Sequence, residues 1–127
     1  MLPMDELQIQ RSTGAANDVT ILTLNGALTI ATLFDFQVAL RQPDLKSTII
    51  DFSAVPYMDS AGLGVVLSHW AHTQRIGAKF AIVAMSEKVR VILEMTGVAK
   101  LLPFYPTAGD AERAFSGAAN SSSKASV

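Results

Sequence analysis

The chain has 127 residues, half of them hydrophobic and 17% charged, with 10 basic against 11 acidic side chains for a net charge of −1. That length fits one domain with a real core, the composition excludes disorder across the whole chain, and the balanced charge, without a Lys/Arg run, gives no support to nucleic-acid binding by phosphate neutralisation. Cysteine is missing altogether, which rules out disulfides, thiolate zinc sites and cysteine nucleophiles.

The opening MLPMDELQIQRS lacks a basic segment followed by an apolar one, so it is not read as a secretory signal. Within it Leu7 and Ile9 alternate with Gln8 and Gln10, the period of a half-buried strand. TGAAND is a turn-like break. VTILTLNG follows as a second strand: Val19 and Ile21 alternate, Leu22 and Leu24 shift the phase, and Asn25-Gly26 signals a turn. The two strands are expected to pair antiparallel. From Thr32 the period becomes helical, with Leu33, Phe36 or Gln37, and Leu40 on one face, until Pro43 stops it. Phe34 and Val38 fall off that stripe. Either they widen the buried face, the favoured reading because amphipathic stripes exceed about 100°, or they form a second contact face.

STIIDFSAV is a compact apolar strand of the kind buried inside a sheet, and Pro56 breaks the path after it. In AGLGVVLSHWAHTQRIG, Leu63, Val66, Leu67 and Trp70 recur at helical spacing, and Gly77 closes the helix. AKFAIVAM is another buried strand. SEKVRVILEMTG opens on Ser86 as N-cap, turns Val89, Ile92 and Leu93 inward, and ends at Gly97. KLLPFYPT is extended but interrupted by Pro103, which fits an edge strand. GDAERAF makes a last short helix.

Strand–helix–strand alternation in the second half predicts parallel pairing with right-handed crossovers. The expectation is an α/β fold whose mixed sheet has antiparallel N-terminal strands. SGAANSSSKASV has no periodicity and little apolar content, so residues 117–127 are expected to form a disordered tail. No apolar stretch approaches the roughly 18 residues of a membrane span, and a cytoplasmic protein is the default. The mean hydropathy of +0.33 is high for such a protein and points to apolar surface reserved for a partner.

The segment YMDSAGLGVVL poses the chemical question. As a nucleophile, Ser60 would need glycine two residues before and two after it; Met58 holds the first place and only Gly62 fits, so a hydrolase elbow is disfavoured and no enzymatic activity is expected. His69 and His72 are three apart, but with Val66, Leu67 and Trp70 defining the inner face both are read as flank or solvent side chains. No acid on that helix completes a metal set. Gly62 and Gly64 lack the spacing of a dinucleotide or P-loop cradle. They either admit a partner closely or serve turn geometry. No cofactor is expected. Taken alone, Ser60 is best read as a helix cap worth about 1 kcal/mol, with Asp59 as the alternative cap, favoured by the helix dipole.

The longer stretch IIDFSAVPYMDSAGLGVVL resembles the signature of STAS domains, in particular the small anti-sigma-factor antagonists. Asp51, Asp59, Ser60, Gly62, Leu63 and Gly64 match that pattern position for position, and TLNGALTIAT and KFAIVAMSEKVRVILEMTGVAKLLPFYPTAGDAERAF extend the likeness over residues 5–116. The resemblance implies a STAS domain acting as a stand-alone switch protein. It implies that a partner, both anti-sigma factor and serine kinase, phosphorylates Ser60 and that a serine phosphatase resets it. Unphosphorylated, the protein would sequester that partner through Asp59, Ser60, Ala61, Gly62, Leu63 and Gly64; phosphorylated, it would release it. Length and a free N-terminus favour this reading over a STAS subunit of a lipid-transport ATPase or of a stress-sensing complex. Two departures bear on the partner. The second-strand turn reads GALT where an acidic GELD-like stretch is common, so Ala27 and Thr29 remove polar groups. Ala61 replaces a frequent second serine and leaves Ser60 as the sole hydroxyl acceptor of the loop. Oligomeric state is left open by the surplus of apolar side chains around Phe34 and Val38.

Overall fold

The central strands are apolar on both sides because both faces of the sheet are covered. The computed structural model describes residues 6–16 and 18–116; residue 5 and the expected disordered tail at residues 117–127 lie outside the described residues. Five strands, β1 (Gln8–Thr13), β2 (Val19–Asn25), β3 (Ser47–Ala54), β4 (Phe80–Val83) and β5 (Phe104–Tyr105), stand in sequential order. β1 pairs antiparallel with β2, and every other neighbouring pair is parallel. All four residues of β4 and five of the eight in β3 are buried, as two-sided covering of a parallel sheet requires.

One face carries helices α1 (Leu33–Leu40), α2 (Ser60–Ile76) and α3 (Glu87–Thr96). Their Phe36, Leu40, Leu63, Val66, Val89 and Leu93 close over Leu22, Leu24, Ile50, Phe52 and Ile82. The other face carries α4 (Ala108–Ser116), whose Ala111 and Phe115 pack on Val19, Ile49, Ala81 and Val83. The phase shift read in β2 has its reason here. Val19 and Ile21 face α4, while Leu22 and Leu24 face the three-helix layer. Ser86 caps α3 by accepting from Val89 N at 3.3 Å, and Gly77 and Gly97 end α2 and α3 in the left-handed region.

Three expectations need correction. KLLPFYPT does supply an edge strand beside β4, but only Phe104 and Tyr105 of it pair. The chain before them turns through a 3-10 segment, Val98–Lys100, and Pro103, which has no N–H to donate, contributes only its carbonyl, to Ile82 N at 3.0 Å. On α1, Phe34 is 73% exposed and Val38 42%, so they form a separate outward face and do not widen the core. On α2 the buried side is Gly62, Leu63, Val66, His69 and Thr73, with Leu67 and Trp70 only half-buried. His69, expected at the flank, is 6% exposed. A hydrogen bond of its Nε2 to Thr48 Oγ1 at 3.1 Å satisfies it there, and Phe80 meets its ring edge-on with 5.6 Å between centroids. His72 is exposed, as read from the sequence.

Burial, and secondarily the neighbouring His72, lowers the pKa of His69 from 6.5 to about 4. The unfolded chain therefore binds a proton below 6.5 that the folded chain refuses until about 4, so stability falls as the pH drops through that window and levels off below it. Between pH 7 and pH 5 this single group is expected to remove about 2 kcal/mol. Urea denaturation at the two pH values checks it. A His69→Gln variant should lose most of that difference, and a variant with an undiminished slope would refute the assignment.

Candidate functional site

The site is built where the chain leaves β2 and where it enters α2. After Asn25 the chain turns at Gly26, whose φ of +129 admits only glycine without strain and whose missing Cβ would stand 2.6 Å from the Glu6 carbonyl. It then runs beside the segment leading out of β3. Leu28 N donates to the Tyr57 carbonyl at 2.9 Å, and Asp59 N donates back to the Leu28 carbonyl at 3.1 Å. Thr32, buried at the head of α1, ties the 26–32 loop to itself. Its hydroxyl donates to the Ala27 carbonyl at 2.8 Å and accepts from Thr29 N at 3.0 Å. Thr29 Oγ1 in turn accepts from Ala31 N at 3.2 Å. The threonine that departs from the acidic family pattern thus has a local structural role.

Asp59 joins the two segments. It is the N-cap of α2, its Oδ1 accepting from Gly62 N at 2.9 Å, and its Oδ2 accepts from Ile30 N at 3.0 Å across the groove. Desolvation pushes its pKa up, but backbone donors led by Gly62, Ile30 and Ala61 outweigh that and hold it below the ordinary carboxylate value. Asp59 is therefore a fixed negative charge at neutral pH.

With Asp59 as the cap, Ser60 is released from that duty. It is the first residue of α2, its side chain is exposed, and its hydroxyl makes no hydrogen bond among the described residues. The preference for Ser60 as the cap is thus corrected: the Asp59 carboxylate, one residue earlier and with extended backbone (φ −96, ψ −178), is the group that reaches Gly62 N. Of the six residues read as a docking loop, Ser60 and Gly64 face solvent and Asp59 and Ala61 are half-buried. Leu63 points into the core, and Gly62 is buried because a Cβ there would lie 2.5 Å from the Leu28 carbonyl. Gly62 serves close packing within the chain; a Cβ on Gly64 would meet nothing within 4 Å. Asp51 stands on β3, where its Oδ1 accepts from Ser53 N at 2.8 Å.

Sequence reading did not single out two exposed apolar residues tied to the segments around Asp59. Ile30, 73% exposed, lies in the 26–32 loop and donates its own amide to Asp59, and Tyr57, 46% exposed, lies three residues before Ser60. Phe34, also 73% exposed, stands at the start of α1. Neither Ile30 nor Tyr57 lies in a periodic element, so no pattern marked them; Phe34 was marked only by its misfit to the α1 stripe. Among the described residues no group of three or more His, Asp or Glu side chains could hold a metal ion, and no helix is long and apolar enough to cross a membrane.

A family model described as the STAS domain matches residues 10–111. The anti-sigma F factor antagonist of Paenibacillus polymyxa is 27% identical over 67 residues, 53% of this chain and 57% of that protein, so the match spans little more than half of that curated relative. Among solved structures, an anti-sigma factor antagonist from Mycobacterium paratuberculosis is similar with a TM-score of 0.75, at 24% identity over 87% of this chain and 95% of that one. SpoIIAA is similar in its unphosphorylated form, with a TM-score of 0.71 at 20% identity over 89% of this chain and 100% of that one. The phosphorylated form of SpoIIAA from Bacillus gives 0.63 at 17% identity over 84% and 99%. At these identities the structural likeness establishes the fold.

The two glycines of the motif separate in their expected effects. Gly62→Ala should destabilise by about 2 kcal/mol, since the Leu28 backbone has to move, whereas Gly64→Ala should stabilise by up to about 1 kcal/mol through helix propensity. Chemical denaturation of the two variants checks this, and equal effects would contradict the packing described.

Proposed function

The chain belongs to the STAS domain family, and from that premise we propose that it is an anti-sigma-factor antagonist, a protein-binding switch controlled by phosphorylation of Ser60. The observation that carries the reading is a serine hydroxyl left exposed on the first turn of a 17-residue helix, beside a carboxylate that already caps it. Unphosphorylated, the protein sequesters a partner that is both anti-sigma factor and serine kinase. In the kinase step Ser60 Oγ attacks the terminal phosphorus of a nucleoside triphosphate held by that partner, loses its proton, and the diphosphate leaves. A serine phosphatase reverses the modification by hydrolysis.

The physical basis of release is the interface. Phosphorylation adds about −1.5 to −2 charges and three acceptor oxygens. The N-terminus of α2 tolerates an anion, while Asp59 repels it. These effects are each on the order of 1 kcal/mol and partly cancel. Both Asp59 oxygens are engaged with backbone donors, and Ile30, Phe34 and Tyr57 are exposed apolar side chains that a partner could cover. A charge of that size in a desolvated contact weakens binding by several kcal/mol unless it is paired, and about 1.4 kcal/mol is tenfold in affinity. Gly64, open to solvent, admits the partner close to the helix backbone.

Ser60→Asp is expected to weaken partner binding by at least about tenfold while changing stability by less than about 1 kcal/mol. Ser60→Ala should bind as the parent does and take up no phosphate. Because Asp59 is the cap, it should also keep its stability within about 0.5 kcal/mol. Calorimetry with the co-purified kinase, and mass spectrometry after incubation with it and ATP, provide the readouts. Phosphate on another residue, undiminished binding by Ser60→Asp, or a transport ATPase as the co-purified partner would each overturn the proposal.

A further inference from the structure

We propose that the cleft between the C-terminal end of α1 and the distal half of α2 binds a small amphiphilic carboxylate, with its hydrocarbon body on the apolar lining and its carboxylate between Arg41 and Lys46. The site is independent of Ser60. It lies at the start of β3, whereas α2 begins beyond the end of that strand, and its lining on α2 runs from Val65 to Ile76, roughly 8 to 24 Å along the helix axis from Ser60 at about 1.5 Å per residue.

The cleft has a volume of about 700 Å³, inside the range of about 300 to 1,000 Å³ for small-ligand sites. Leu40, Val65 and Ile76 contribute apolar lining, and Ile76 leaves 49% of its surface to water. The ionisable groups around it are all basic or imidazole: Arg41, Lys46, His69 and His72, with no carboxylate. Arg41 and Lys46 form no ion pair among the described residues. The acid that lies between them in sequence, Asp44, is drawn away to β1, where its Oδ2 accepts from Arg11 Nη2 at 2.7 Å. A chain with net charge −1 thus concentrates positive potential at one concave mouth. His69 is engaged through Nε2 with Thr48 and adds no competing anion.

These two properties together define the ligand class. A free inorganic anion would satisfy the cations and leave the apolar lining wet. A neutral hydrocarbon would cover the lining and leave the guanidinium and ammonium without a counter-charge. A carboxylate on a hydrocarbon chain satisfies both, and its two oxygens match the fork of Arg41.

The test uses the full chain, isotope-labelled, titrated with monomeric decanoate and followed by amide chemical shifts. Decanoate is expected to move amides in residues 40–46 and 65–76, and decanol and inorganic phosphate are expected to bind at least about tenfold more weakly, by the loss of one charge-assisted contact or of the apolar one. The Arg41→Ala/Lys46→Ala double variant should lose about tenfold or more in decanoate affinity while its binding of decanol is unchanged. Ser68→Trp, which fills the cleft from an exposed position and keeps both cations, should abolish the shifts. The proposal is overturned if decanoate moves no amide of these two segments, if the double variant binds it as tightly as the parent, or if Ser68→Trp leaves the shifts intact. It is equally overturned if the segments respond only to anionic phospholipid vesicles and not to monomeric decanoate.

Discussion

One carboxylate holds the functional end of the molecule together. Asp59 spends one oxygen on the first turn of α2 and the other on the Ile30 amide of a separate loop. The arrangement is possible only because the two segments already lie side by side, joined through Leu28, Tyr57 and the Asp59 amide. It is also possible only because Gly62 has no Cβ to strike the Leu28 carbonyl. A capping carboxylate contributes on the order of 1 kcal/mol, but its consequence here is positional. It fixes a negative charge next to Ser60 and frees the Ser60 hydroxyl from structural duty. A charge added to that hydroxyl then meets a platform with few ways to rearrange. On the proposed function, its effect is felt by the partner that docks against this surface.

Much of this was legible in the residues, and the failures have definite causes. The order of elements followed from period and punctuation: apolar runs STIIDF and KFAIV for strands buried on both faces, and glycines 77 and 97 for left-handed helix ends. The mixed phase of β2 looked like irregularity in one dimension and is a strand covered on two sides. The α2 face was misjudged by a fraction of a turn because Trp70 and Leu67 were weighted by hydropathy. The chain instead places His69 inside, where Thr48 supplies the hydrogen bond that makes an imidazole acceptable in a core. A partner from a strand 21 residues away cannot be read from helical spacing. At the site, the sequence offered Asp59 and Ser60 as rival caps. Backbone geometry decided between them, and the same geometry brought in Ile30, which no local pattern connects with Asp59.

Helix α2 therefore has two chemically distinct ends. Its first turn presents an exposed hydroxyl beside the fixed anion of the Asp59 cap, and on the proposed reading this is the end at which an added charge disrupts docking. Its last turns border a concave, cation-rimmed cleft against α1 and the loop before β3. The buried His69, which also borders the cleft, binds this helix to β3 through Thr48. β1 is one edge of the sheet and α4 covers the face opposite α2.

The central claim is that phosphorylation acts at the interface and leaves the fold as it is. Amide chemical shifts of the protein phosphorylated on Ser60, compared with those of the unmodified protein, test it most directly. The account predicts changes confined to the first turn of α2 and the neighbouring 26–32 loop, together with loss of partner binding in the same sample. Large changes spread through β4, α3 or α4 would contradict it.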